Sequence, residues 1–230
     1  MPIEHHFADG DQAAAHLATR IATLLADAIM ARGTASLALS GGRSPKPVLE
    51  ALARTPLDWS KVVVTLVDER WVAPDAPDSN ERLLRETLLT GPAAAAHFVP
   101  MKNDAPDAYL GQPAVEAAFA AILWPLDIVL LGMGEDGHTA SLFPAAVELA
   151  DGLTSTARTI AVTPPAAPHQ RLSLTASAIL AARHIFLQIS GDAKKAVYAQ
   201  ALENGPVEQF PIRLALLQSE TPVEVWISAH

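Results

Sequence analysis

Between Asp127 and Pro144 the chain reads DIVLLGMGEDGHTASLFP, a stretch that combines the side chains of acid–base chemistry with unusual backbone freedom. Asp136 and His138 stand two residues apart in a loop that also holds Gly132, Gly134 and Gly137, with Thr139 and Ser141 just beyond. Histidine is the side chain whose unperturbed pKa suits proton transfer near neutrality. An acid two residues away can orient the ring or shape the loop. Glycine allows positive φ and close approach of the backbone to a ligand. The apolar run from Ile128 to Leu131 reads as a buried strand, so the loop sits where open α/β sheets place their reaction sites, at the carboxyl end of a strand.

Other chemistries fit this loop less well. Gly132, Gly134 and Gly137 spell G-x-G-x-x-G, but a dinucleotide fingerprint needs an apolar helix packed on the sheet after the third glycine. Here His138 follows, and Pro144 interrupts soon after. The chain has no cysteine and no H-x-x-x-H or H-E-x-x-H spacing, so a metal site has little support. There is no G-x-S-x-G elbow for a serine nucleophile.

Three more polar clusters follow apparent strands: Ser40-Gly41-Gly42-Arg43-Ser44, Asp68-Glu69-Arg70, and Gly191-Asp192-Ala193-Lys194. Each alone is an ordinary turn. Together with the His138 loop they converge on one crevice if the strands are parallel. Gly41 and Gly42 ahead of a helix offer free amides and a dipole that favours an anion, without the Gly-Lys-Ser/Thr ending of a P-loop. Asp68 and Arg70 read either as a salt bridge at a strand end or with Arg70 turned toward a substrate. Arg171 and Lys194 read either as solvated charges or as anion ligands. Lys194 stands near a helix start, where a cation is unfavourable unless an anion compensates it.

The elements that would position these residues alternate between periods. Asp11 to Arg32 carries Leu17, Ile21, Leu24, Leu25 and Ile29 at helical spacing, with Gly33 as a stop. Strands are expected at 36–40, 61–67, 127–131, 158–163, 171–175, 184–190 and 223–228. Helices are expected at 45–54, from a cap at Ser79 or Asn80 to Leu89, and at 113–123, 176–183 and 192–203. The alternation predicts an α/β fold: a mainly parallel, Rossmann-like sheet covered on both faces, with residues 1–230 as one domain.

Composition narrows the partners. The net charge of −9 argues against nucleic acid or an anionic membrane surface, while a local cluster of cations can still hold a small anion. No apolar run reaches the roughly 18 residues that span a bilayer. The start MPIEHHFADG has no secretory pattern, and the absence of cysteine fits a reducing cytoplasm.

At these residues the chain resembles the 6-phosphogluconolactonase family. The matching blocks are LALSGGRSP (37–45), VTLVDERWV (64–72), DSN (78–80), LLGMGEDGHTASLFP (130–144), RLSLT (171–175), SGDAKKA (190–196) and PIR (211–213). The resemblance implies hydrolysis of 6-phospho-D-glucono-1,5-lactone in the oxidative pentose phosphate pathway, without metal or cofactor. It implies His138 as general base, Asp136 as its orienting acid, and Arg70 or the amides of the glycine loop at the oxyanion. Arg171 and Lys194 would hold the phosphate, joined by Arg43 and Arg213. Gly41, Gly42, Asp68 and Asn80 would line the substrate.

The same superfamily contains glucosamine-6-phosphate isomerases and deaminases, whose histidine is followed by a segment ending in asparagine-glutamate-proline. Here that segment is Thr139-Ala140-Ser141-Leu142-Phe143-Pro144, without the acid used for ring opening. A non-catalytic sugar-phosphate sensor is the third reading. Relatives with a DNA-binding arm need an N-terminal helix-turn-helix, for which there is no room before the strand expected at 36–40.

Overall fold

The computed structural model describes residues 2–42 and 44–229. The chain runs β1 (Ile3–Phe7), α1 (Gly10–Arg32), β2 (Ala35–Leu39), α2 (Lys46–Ala53), β3 (Val62–Leu66), β4 (Asp68–Arg70), α3 (Asn80–Thr87), β5 (His97–Phe98) and α4 (Ala108–Phe119). It continues through β6 (Ile128–Leu131), α5 (Leu149–Thr154), β7 (Thr159–Val162), β8 (Arg171–Leu174), α6 (Ala176–Leu180), β9 (His184–Ser190), α7 (Asp192–Ala201), α8 (Arg213–Leu216) and β10 (Val223–Ser228).

Seven strands form one sheet in the order β1-β10-β9-β6-β2-β3-β5, and every pairing in it is parallel. All residues of β2, β6 and β10 are buried. Successive side chains of a strand point to opposite faces, so these strands are covered on both. That is why ASLAL, IVLL and VEVWIS are nearly continuous apolar runs.

Strand order locates the site. From β2 the chain steps to β3 and then β5 on one side; it returns at β6 on the other side of β2 and moves on to β9 and β10. The direction of winding reverses between β2 and β6. Loops leaving the carboxyl ends of those two strands therefore diverge and open a crevice.

Four features differ from the sequence expectations. Strands expected at 158–163 and 171–175 form no part of the main sheet. With β4 they make a separate antiparallel sheet, in the order β4-β8-β7. The first strand is β1 rather than β2, and it pairs with β10. Residues 3–32 thus belong to the sheet and its covering helix. The helix expected to begin at Pro113 begins at Ala108, because Asp107 caps it by accepting from the Leu110 amide at 2.8 Å; Pro113 lies inside, at the cost of one helical hydrogen bond. Finally, α1 does meet the length and composition of a membrane-crossing helix. Its buried stripe of Leu17, Ile21 and Leu25, packed into the core, accounts for that composition. Asp9 caps its start and Gly33, at φ 79°, ends it.

Candidate active site

The turn after β2 and the loop after β6 are tied together at their roots. Ser40 donates its amide to the Leu130 carbonyl at 2.9 Å, and its hydroxyl accepts from the Gly132 amide at 2.9 Å. Beyond these bonds the loops separate around a cleft of about 220 Å³. Ser40, Gly41, Gly42 and Ser44 line one wall, Gly132, Gly134 and His138 another; Asp68, Arg70, Asn80, Arg171 and Lys194 complete it.

The Asp136–His138 pair is built locally. His138 Nδ1 lies 2.5 Å from Asp136 Oδ1, and the same oxygen accepts the His138 amide at 3.1 Å. With Nδ1–H donated to the acid, Nε2 is left as the basic nitrogen. Burial alone would raise the Asp136 pKa, but the hydrogen bond and charge of His138 outweigh it and hold the carboxyl below its ordinary value. Gly134 is required here, since a Cβ at that position would overlap both His138 Nδ1 and Asp136 Oδ1. Behind the imidazole, the Phe143 ring stands 4.3 Å away between centroids and shields it from water. Ala140, next but one to His138, is held at φ 48°, a costly conformation for a residue with a Cβ.

The loop's amides are largely consumed by its own folding. Gly134 N–H donates to the His138 carbonyl, Gly137 N–H to the Gly134 carbonyl and Gly132 N–H to Ser40. None of these three is left for an oxyanion. Arg70 remains, as do the Gly41 and Gly42 amides, which have no hydrogen-bond partner among the described residues. Gly41 itself is obligatory, because a Cβ there would overlap the Asn80 side chain.

Two of the cations come from the second sheet and one from α7. Arg70 and Arg171 are directly opposite in the β4–β8 pair. Like charges placed across from each other repel, and both Nε atoms are buried without a partner. Arg70 spends one nitrogen on the Asp78 carbonyl at 2.5 Å. It makes no salt bridge with Asp68; that acid pairs instead with Arg171, at 3.7 Å, and accepts the Ser141 hydroxyl at 2.6 Å. Burial lowers the Arg171 pKa, Asp68 opposes that and Arg70 adds to it. Arginine stays charged regardless. Lys194, in the first turn of α7, reaches Ser44 Oγ at 3.4 Å across the cleft.

Two further phosphate ligands were expected. Arg43 lies outside the described residues. Arg213 is 3% exposed and turned inward, which corrects its placement at the phosphate. Its guanidinium donates to the carbonyls of Gln200, Ala201 and Pro206 and to the Gln209 side chain. Those bonds anchor the segment in which the Ile212 amide holds the Gly137 carbonyl at 3.0 Å, so Arg213 braces the His138 loop from behind. Glu69, Ser141 and Phe143 were not singled out from sequence as site residues. Their signal was position within the same blocks; nothing local marks them as buried. Among the described residues no three His, Cys, Asp or Glu side chains gather at metal-binding distance.

Fold and site define an α/β protein with a histidine- and arginine-lined cleft at the switch point of a parallel sheet. Residues 8–226 match the family model described as glucosamine-6-phosphate isomerases/6-phosphogluconolactonase, and the chain belongs to that family. It is 47% identical over 215 residues to a 6-phosphogluconolactonase of Pseudomonas putida, covering 92% of this chain and 88% of that one. The crystal structure of a 6-phosphogluconolactonase from Shewanella baltica OS155 superposes with a TM-score of 0.98 at 44% identity, covering 100% of this chain and 98% of that chain. A monomeric glucosamine-6-phosphate deaminase, at 23% identity, TM-score 0.80 and coverage of 98% and 97%, shares the fold alone. The fold is thus common to two chemistries, and the residues of the cleft decide between them.

Proposed function

We propose that this protein hydrolyses 6-phospho-D-glucono-1,5-lactone to 6-phosphogluconate in the cytoplasm, with the whole chain acting as one unit. The observation that carries the reading is the pair of opposed guanidiniums, Arg70 and Arg171, with buried unpartnered Nε atoms in the cleft that His138 lines. Two opposed cations, each with an unpartnered Nε, in a chain of net charge −9 call for an anionic ligand. The imidazole beside them calls for a reaction that moves a proton.

Water attacks C1 of the lactone while His138 Nε2 takes its proton. The tetrahedral oxyanion forms facing Arg70 and the Gly41 and Gly42 amides. Collapse breaks the bond from C1 to the ring oxygen, and the imidazolium returns the proton to that leaving alkoxide. Asp136 stabilises the imidazolium in between and fixes the ring's tautomer. Arg171 and Lys194 hold the phosphate, so that binding remote from C1 orients the reacting carbon. Asp68 and Asn80 frame the sugar. No step requires a metal or an organic cofactor.

The test generates the lactone in situ from glucose 6-phosphate with a dehydrogenase and follows its loss against spontaneous hydrolysis. Acceleration is expected, unchanged after prolonged dialysis against a chelator; no acceleration overturns the reading. Glucosamine 6-phosphate is expected to stay intact, because the segment after His138 lacks the ring-opening acid.

A further inference from the structure

Glu69 is one of the most deeply buried charged groups in the protein, at 1% exposure, and it makes no salt bridge among the described residues. Its carboxylate is nonetheless fully engaged. One oxygen accepts the amides of Arg70, at 2.7 Å, and Asn80, at 2.8 Å. The other accepts the Glu81 amide at 2.7 Å and the Ser79 hydroxyl at 3.1 Å. Asn80 and Glu81 open α3, so the acid occupies the helix N-terminus and takes up amides that have no partner within the helix. Ser79, the N-cap, accepts from Arg82 with the same hydroxyl that it donates to Glu69.

Two of the residues bound in this way line the cleft, Arg70 through its own amide and Asn80 through its. Asn80 then passes the constraint on, donating its side-chain amide to the Asp68 carbonyl at 2.8 Å. Arg70 meanwhile is pinned at its far end by the Asp78 carbonyl. The short strand β4 and the start of α3 are therefore joined through one carboxylate, and the cleft wall hangs on that joint. We propose that Glu69 is a positioning residue for catalysis, setting the placement of Arg70 and Asn80 toward the substrate. It touches no substrate itself. Glutamine cannot replace it, because its NH₂ would face a backbone N–H wherever it pointed.

The assay, though not the geometry, rests on the lactonase reading. Wild type, Glu69→Gln, Arg70→Ala and the double variant are compared in kcat/KM on the phosphorylated lactone, with folding monitored by circular dichroism and Tm. Glu69→Gln is expected to lose about tenfold or more in the wild-type background and less than about threefold once Arg70 is absent. A loss of equal factor in both backgrounds, or a lowered Tm with full kcat/KM, overturns the proposal. If Glu69→Gln does not fold, Ser79→Ala takes its place in the cycle; it removes one donor while keeping the charge. A several-fold loss that disappears without Arg70 supports the proposal, and unchanged kcat/KM overturns it. Absence of turnover by the wild type overturns the lactonase reading alone. The same cycle is then read on affinity for inorganic phosphate by calorimetry: a free anion, unlike the phosphate of the bound lactone, can lie against Arg70 as well as the Arg171 opposite it, so the same non-additivity is expected and additivity overturns the proposal.

Discussion

The amino and carboxyl ends of the parallel sheet each bury an aspartate among arginines, and the two clusters are finished differently. At the amino end Asp127 contacts Arg32, lies 3.3 Å from Arg183 Nε, and accepts the Ser36 amide at 2.9 Å. Its carboxylate is shared between two half-exposed guanidiniums that lean in from α1 and from the turn before β9. At the carboxyl end Asp68 reaches Arg171 only at 3.7 Å and spends its shorter bond on Ser141. Arg70 and Arg171 are left facing each other with buried donors unused. A buried unsatisfied donor costs roughly 1–3 kcal/mol, more when charged. The first cluster closes on itself and staples the fold. The second leaves two buried guanidinium nitrogens without a partner.

The comparison can be broken most forcefully at the reactive group that the open cluster serves. His138→Ala is expected to lose about 10²–10⁴ in kcat while keeping its fold and its affinity for phosphosugar; steady-state kinetics on the purified, folded variant check this, and a wild-type rate would remove His138 from its role. The closed cluster should behave in the opposite way. Asp127→Ala leaves the buried Ser36 amide and two half-exposed guanidiniums without their shared partner and is expected to cost about 1–3 kcal/mol of stability, measured by urea unfolding, with kcat/KM of the folded enzyme unchanged. If it instead slowed catalysis without loss of stability, the division between the two ends would fail.

The open cluster is sharpened by its cations. Arg171→Ala and Lys194→Ala each remove a charge-assisted bond worth roughly 1.5–3 kcal/mol, so KM for the phosphorylated lactone should rise about tenfold or more. Unphosphorylated gluconolactone should be affected little, since it offers those side chains nothing. Equal slowing of both lactones would make the two residues structural. The smallest effect concerns Asp136, whose side chain is about half exposed. Its folded pKa is depressed, so its contribution to stability is present above the unfolded value of about 3.9 and is lost as pH falls through the folded value. The Tm gap between wild type and Asp136→Asn is expected at pH 6 and should close in more acidic buffer; a gap that widened on acidification would contradict the stabilising contact with His138.

The legible parts share a short range. The strand at 128–131, the glycines after it and the Asp136–His138 pair lie within one turn of chain. Side-chain period and i, i+2 spacing carried them directly, and the observed 2.5 Å contact is made within that window. Ser79 as a helix cap and Gly33 as a helix stop were readable for the same reason. The strands at 184–190 and 223–228 were bounded by polar and turn residues, and they lie where expected.

What sequence spacing could not supply is partnership between distant segments. RTIAVT and RLSLT read as strands whichever sheet they join, because β-propensity and alternation say nothing about the neighbour. Only the register that sets Arg70 opposite Arg171 creates the unsatisfied pair of cations. Arg213, identical in type to its fellows and inside a family-matching block, turns its guanidinium inward because the end of α7 presents bare carbonyls to it. Glu69, flanked by Asp68 and Arg70, is drawn under α3 by amides that the helix itself cannot use. The sequence by itself determined which residues could do chemistry and the loop that carries the imidazole, since those depend on local torsions and short spacings. Tertiary structure alone decided which cations line the cleft and which brace the fold, because a charged side chain goes where distant backbone groups and neighbouring charges leave the lowest free energy.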